Sequence, residues 1–110
     1  ANVSKLMLDA GLITIVSFIA PFKAERDLAK DLMGDDILEV FIDVPIEVAE
    51  SRDPKGLYKK ARSGDLKNFT GIDSPYEKPE NPDIHIESDK ISAEDAAEII
   101  VKKLIQKESI

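Results

Sequence analysis

Hydrophobic and polar positions along the chain follow two periods, and each switch between them marks an element. Val3, Leu6, Met7 and Ala10 recur at helical spacing, and Gly11 is a natural stop. The run LITIVSFI, residues 12–19, is apolar on both faces, the pattern of a central parallel strand, and APF breaks it. FKAERDLAKDLMG (22–34) returns to the helical period, with Leu28, Leu32 and Met33 on one side and Gly34 as its stop. ILEVFIDV (37–44) predicts a second strand. Pro45 suits the first turn of a short helix, PIEVAESR, because its missing N–H costs nothing there. KGLYKKARSG (55–64) predicts another helix, bounded by Gly56 and Gly64, and IHIES (84–88) a short strand. Ser92 with Asp95 resembles a capping box and opens the last helix. There Ala97, Ile100, Val101, Leu104 and Ile105 form the stripe expected to be buried.

Strand and helix therefore alternate, which predicts an α/β fold with a parallel sheet and right-handed crossovers. Three strands, one of them short, cover a run as apolar as residues 12–19 poorly. The chain also opens as though inside a helix. Both features predict that something is missing upstream.

Residues 64–83, GDLKNFTGIDSPYEKPENPD, fit neither period. Loops longer than about 12–15 residues are uncommon in compact domains and are usually functional or disordered. Phe69 and Tyr76 lie in this loop without helical or strand neighbours that would make them ordinary core residues.

Composition narrows the field. A chain of 110 residues, 43% hydrophobic and 34% charged, fits one globular domain. With no cysteine and one histidine, disulfides, thiolate metal sites and a histidine zinc site are excluded, and a cytoplasmic location is expected. The apolar run is far too short to span a membrane, and no secretory leader is visible. A net charge of −7 argues against general nucleic-acid binding. Residues 52–67 carry Arg52, Lys55, Lys59, Lys60, Arg62 and Lys67 against Asp53 and Asp65, a local +4 that leaves −11 on the rest. Such a run is either a solvated helix face or an anion site beside the loop.

In open α/β sheets, ligands bind beyond the carboxyl ends of the strands. FIAPF (18–22), SRDPKG (51–56) and KNFTG (67–71) converge there. Phe69, two residues after Lys67, suits a flat, anionic, heteroaromatic ligand, with the ring on a base and the ammonium on phosphate. The plainer reading is that Phe69 pins the loop. Tyr76 reads as a loop anchor and His85 as a partly exposed strand residue. Asp43, at a strand end, is given no role.

The run SRDPKGLYKKARSGDLKNFTGIDSPYE resembles the adenylylsulfate kinase (APS kinase) family, and so do FIAPF with AERD and the join FIDVPIEVAESRDPKG, in the same order. The resemblance covers essentially all of residues 1–110. It implies a three-layer, P-loop kinase-like α/β fold, of which these residues are the C-terminal portion of a single domain, with a lid and loop over about 52–83. It also implies transfer of phosphate from ATP to the ribose 3′-hydroxyl of adenosine 5′-phosphosulfate (APS), giving PAPS and ADP in sulfate assimilation. By the same resemblance, backbone at Ile19 and Ala20 touches APS, Lys55 reaches its anionic group, and Asn68 and Phe69 close on its adenine. Arg52 and Ile91 belong to the ATP site, and Lys59, Lys60 and Arg62 fit a cationic lid.

Two departures from the family stand out. Ala20 occupies the position where the family commonly has a serine, so no phosphoserine can form there. No G-x-x-x-x-G-K-[ST] occurs in these residues. The expected phosphate loop, the proposed base and the main hold on Mg2+ lie upstream, so no catalytic residue and no metal ligand is assigned here. The chain alone is therefore expected to be inactive. A homodimer, and fusion to or association with an ATP sulfurylase, are compatible with the family; nucleic acid and membrane are not expected partners. The competing readings are a short nucleotide-binding protein without catalysis, a subunit of a split enzyme, and another small P-loop kinase, against which NFTGID argues.

Overall fold

The computed structural model describes residues 1–107. In chain order the elements are α1 (Asn2–Asp9), α2 (Lys23–Met33), a 3-10 turn (Gly34–Asp36), β1 (Val40–Asp43), α3 (Ile46–Ser51), α4 (Leu57–Ser63), β2 (Ile84–Glu87) and α5 (Ala93–Gln106). Strands β1 and β2 pair in parallel, with Val40 opposite Ile84, Phe41 opposite His85, Ile42 opposite Ile86 and Asp43 opposite Glu87. A parallel pair needs a long crossover. Here α3, α4 and the loop of residues 64–83 supply it.

The core is small: Phe41, Ala61, Ile84 and Ile86 are its buried hydrophobic side chains. In β2 the strand period works as expected, burying Ile84 and Ile86 while His85 and Glu87 face out. Phe41 stacks on His85 with centroids 5.0 Å apart, so the exposed imidazole still covers a core ring. Ser92 caps α5 as its sequence predicts, its Oγ accepting the Asp95 N–H at 3.1 Å.

Three expectations are corrected. Residues 12–19 form no ladder with any described residue and are exposed throughout, Ile15 to 92% and Phe18 to 83%. A central strand exists only through partners on its edges, and β1 and β2 pair with each other instead. The predicted inner face of α2 holds at Leu32 and Met33, which are half-buried, but fails at Leu28. Leu28 is 70% exposed, whereas Arg26, Ala29 and Met33 line a cavity of about 1310 Å³ against residues 13–20. The α5 stripe is also only partly covered: Ile100 and Leu104 are half-buried, but Ala97, Val101 and Ile105 are exposed. No helix among the described residues is long and apolar enough to cross a membrane.

Candidate functional site

The long loop is an ordered turn followed by an extended arm. Gly64 ends α4 in the left-handed region, and the N–H groups of Asp65 and Leu66 return to the Lys60 carbonyl. The motif NFTGID then folds on itself. The Asp73 carboxylate accepts the backbone N–H groups of Asn68, at 2.8 Å, and Phe69, at 2.5 Å. The Phe69 carbonyl accepts in turn from Ile72, Asp73 and Ser74. Asn68 sits at φ +56°, a conformation asparagine tolerates better than most residues. Gly71 lies at φ +90°, and a Cβ there would stand 2.9 Å from Ile46 Cδ1 at the start of α3. The dihedral demands glycine, and the close approach to a side-chain methyl shows the turn docked on α3.

This turn sets Phe69 against Tyr58 of α4, edge to face, with centroids 4.9 Å apart. Phe69 and Tyr58 line an open cavity of about 720 Å³ together with Ile19, Phe41, Ile42 and Tyr76. Asp43, Glu87, Asp89, Lys78 and Lys90 add charge to its wall. Size and lining suit a nucleotide-sized ligand with a flat ring, since ligand pockets commonly run to about 300–1,000 Å³.

The structure brings Ile19 and Phe69 to one cavity. Ala20 lies beside Ile19 on the wall of the larger cavity, at φ +41°. Asn68 is exposed and contributes its backbone to the turn. Lys55 is exposed on the turn joining α3 to α4 and lines neither cavity. Arg52, at the end of α3, donates to the Ser88 carbonyl at 3.2 Å, which ties it to the turn that leads into the half-buried Ile91. Tyr76 anchors the loop, its ring 6.2 Å from that of Phe41. His85 Nε2 meets Asp43 Oδ2 at 2.8 Å. Among the described residues, no group of three or more His, Cys, Asp or Glu is arranged to hold a metal ion.

Arg62 is not free to meet a phosphate. It grips Glu50 of α3 through Nε and Nη2, at 3.3 and 2.5 Å. This bidentate pair braces the turn that carries Lys55. The hydrogen bond from Arg62 holds the Glu50 carboxyl below its ordinary range, and the same bond pushes the guanidinium up. A carboxylate lowered on folding adds stability that is complete above its unfolded pKa, about 4.3, and is lost as pH falls through the folded value. Thermal midpoints measured from pH 6 down to 3 should therefore fall less steeply for Glu50→Gln than for the unsubstituted protein. Identical slopes would show that the pair contributes nothing.

Two residues missed in the sequence complete the site. Glu77 binds back to the 20–26 segment: its N–H donates to the Pro21 carbonyl at 2.7 Å, and its Oε1 accepts the Lys23 N–H at 3.0 Å. Arg26 reaches both the Ala20 and the Glu77 carbonyls. The available signal was an arginine three and seven residues before Ala29 and Met33, which puts it on their helix face.

Comparison with known proteins fits this geometry. The family model for adenylylsulphate kinase matches residues 1–87. The adenylyl-sulfate kinase of Clostridium acetobutylicum is 57% identical over 106 residues, covering 96% of this chain and 53% of that one. The bifunctional enzyme NodQ of a Rhizobium species is 55% identical over 101 residues, covering 91% of this chain and 16% of that protein. The Mycobacterium tuberculosis APS kinase, solved in complex with AMPPNP and APS, superposes with a TM-score of 0.83 at 45% identity, over 90% of this chain and 59% of that one. This chain thus spans about half the length of the adenylyl-sulfate kinases it matches. Its α/β architecture with a parallel sheet is that of a P-loop kinase-like fold. By family match, sequence identity and fold, the chain belongs to the adenylylsulphate kinase family.

Proposed function

We propose that these residues form the acceptor-gripping part and lid of an adenylyl-sulfate kinase, which moves the γ-phosphoryl group of ATP to the 3′-hydroxyl of APS and releases PAPS and ADP. One observation carries the reading: the NFTGID turn docks on α3 and sets Phe69 on a nucleotide-sized cavity that Ile19 also lines. In a family of adenylyl-sulfate kinases, that cavity takes the acceptor's adenine, with Phe69 as one face of its stack. Ile19 and Ala20 offer backbone polar groups to the same nucleotide, and Asn68 frames the turn. Arg52 and the segment at Ile91 belong to the ATP side.

Phosphoryl transfer leaves a protein mainly with positioning and charge stabilisation. The loop of residues 64–83 and the lysines of α4, Lys59 and Lys60, serve this by closing over bound nucleotides, a step that gates many kinases. Magnesium, when bound with ATP, neutralises phosphate charge. The described residues offer no acidic cluster fit to hold it. A cytoplasmic enzyme fits a cysteine-free chain. A bifunctional relative is compatible with fusion of such a domain to a second enzyme.

The test is ADP release that depends on APS, with PAPS identified as product, in a full-length kinase domain containing these residues. ATP turnover indifferent to APS would overturn the proposal. In that domain Lys55→Ala is expected to lose activity by about tenfold or more, since hydrogen bonds to charged groups contribute roughly 1.5–3 kcal/mol. Normal turnover by Lys55→Ala would remove that residue from the site.

A further inference from the structure

We propose that Arg26 is a positioning residue for the acceptor: it locks the Ile19–Ala20 backbone to the Tyr76–Glu77 end of the loop, so that acceptor binding and loop order are coupled. This rests on the functional reading above and names a residue that reading does not use. The Arg26 side chain is 10% exposed, deeply covered for a guanidinium. Nη1 donates to the Ala20 carbonyl at 2.6 Å, and Nη2 to the Glu77 carbonyl at 2.5 Å. Its Cζ lies 5.8 Å from the centre of the Tyr76 ring. The nearest carboxylate, Glu39, stands 3.9 Å from Nε and is held more closely by Lys30, at 3.2 Å. The short bonds of this cation thus go to two backbone carbonyls from segments more than fifty residues apart.

That choice of partners is informative. A guanidinium presents its donors in a fixed plane and serves two acceptors at once, which the single ammonium of lysine does less well. Ala20 sits at φ +41°, where residues with a Cβ are uncommon. A conformation of that kind persists when its surroundings hold it. The bond from Arg26 is fixed to the strained peptide itself. The same guanidinium also holds the loop arm whose Tyr76 lines the smaller cavity together with Ile19 and Phe69. Arg26 lines the larger cavity rather than this one, and it ties together the chain neighbours, Ala20 and Glu77, of two residues that do line it, Ile19 and Tyr76. The Glu77 bonds to Pro21 and Lys23 reinforce the same seam.

The test uses the full-length domain with Arg26→Ala and Arg26→Lys. The expected result is a rise of at least tenfold in KM for APS in Arg26→Ala, with KM for ATP changed less than twofold. Guanidinium ion should recover part of that loss. Arg26→Lys, which keeps the charge, should recover little. A second measurement needs no variant: saturating APS should slow hydrogen exchange at the Glu77 amide in the unsubstituted enzyme. A residue that only staples the fold would lower the thermal midpoint without separating the two KM values, and that outcome overturns the proposal. So does a Glu77 amide indifferent to APS. An unsubstituted enzyme that does not turn over APS overturns the functional reading and this assignment together; normal turnover with an unchanged APS KM in both variants overturns the assignment alone.

Discussion

Purified by itself, the 110-residue polypeptide should form no PAPS from ATP and APS above the uncatalysed background, the largest effect expected for this protein. In the proposed reading, the cavity walls at Ile19, Tyr58, Phe69 and Tyr76 take the acceptor nucleotide. They include no glycine-rich cradle for a triphosphate, and no G-x-x-x-x-G-K-[ST] occurs in the sequence. Holding both reactants in near-attack geometry is worth roughly 7–11 kcal/mol of a reaction barrier. A site that fixes the acceptor but not the donor forfeits that term, and no protein group is left to replace it. Turnover by the isolated polypeptide near the 1–100 s⁻¹ typical of kinases would refute the division of labour proposed here. Adding the remaining part of a kinase domain as a separate chain supplies a further arm. Recovery of activity on mixing would identify these residues as one partner of an enzyme that can be split.

The sequence was most legible where local chemistry decides the structure. Gly56 and Gly64 bound α4 as expected, Ser92 caps α5, and the alternation in IHIE buries its two isoleucines. These outcomes depend on backbone dihedrals, a single capping bond and the strand period, all set within a few residues. LITIVSFI was less legible because its pattern reports only how apolar it is, while a strand is made by its neighbours. On α2, Leu28 is exposed and Arg26 covered for a related reason. Periodicity weighs side chains by hydropathy, but two carbonyls more than fifty residues apart supply the partners that let a guanidinium be covered. The NFTGID turn lies between these cases. Its Asn, Gly and Asp are turn residues, yet the surface it docks on is Ile46, twenty-five residues earlier. The loop was therefore visible as an exception to both periods, and its geometry was not.

Phe69→Ala should raise KM for APS by about 5- to 150-fold in a full-length domain and leave KM for ATP nearly unchanged. The magnitude follows from aromatic stacking on a base, worth roughly 1–3 kcal/mol by alanine substitution. The selectivity follows from position. Phe69 stands on the cavity shared with Ile19, whereas Arg52, proposed for the ATP side, is tied to the Ser88 carbonyl. The competing account is anchoring, and it has real support: the ring is half-buried and meets Tyr58 at 4.9 Å. Removing an anchor would also act on the loop, so KM alone does not separate the two. Stability and a second substitution do. The backbone of the turn is held by Asp73 rather than by the ring, so the thermal midpoint should fall only slightly in Phe69→Ala. Phe69→Trp keeps a flat face for the base while fitting poorly against Tyr58. An APS KM close to the unsubstituted value in Phe69→Trp, beside the large rise in Phe69→Ala, would mark the ring as a stacking surface. A lowered midpoint in both variants with APS dependence intact would make Phe69 an anchor and leave the adenine without its proposed partner.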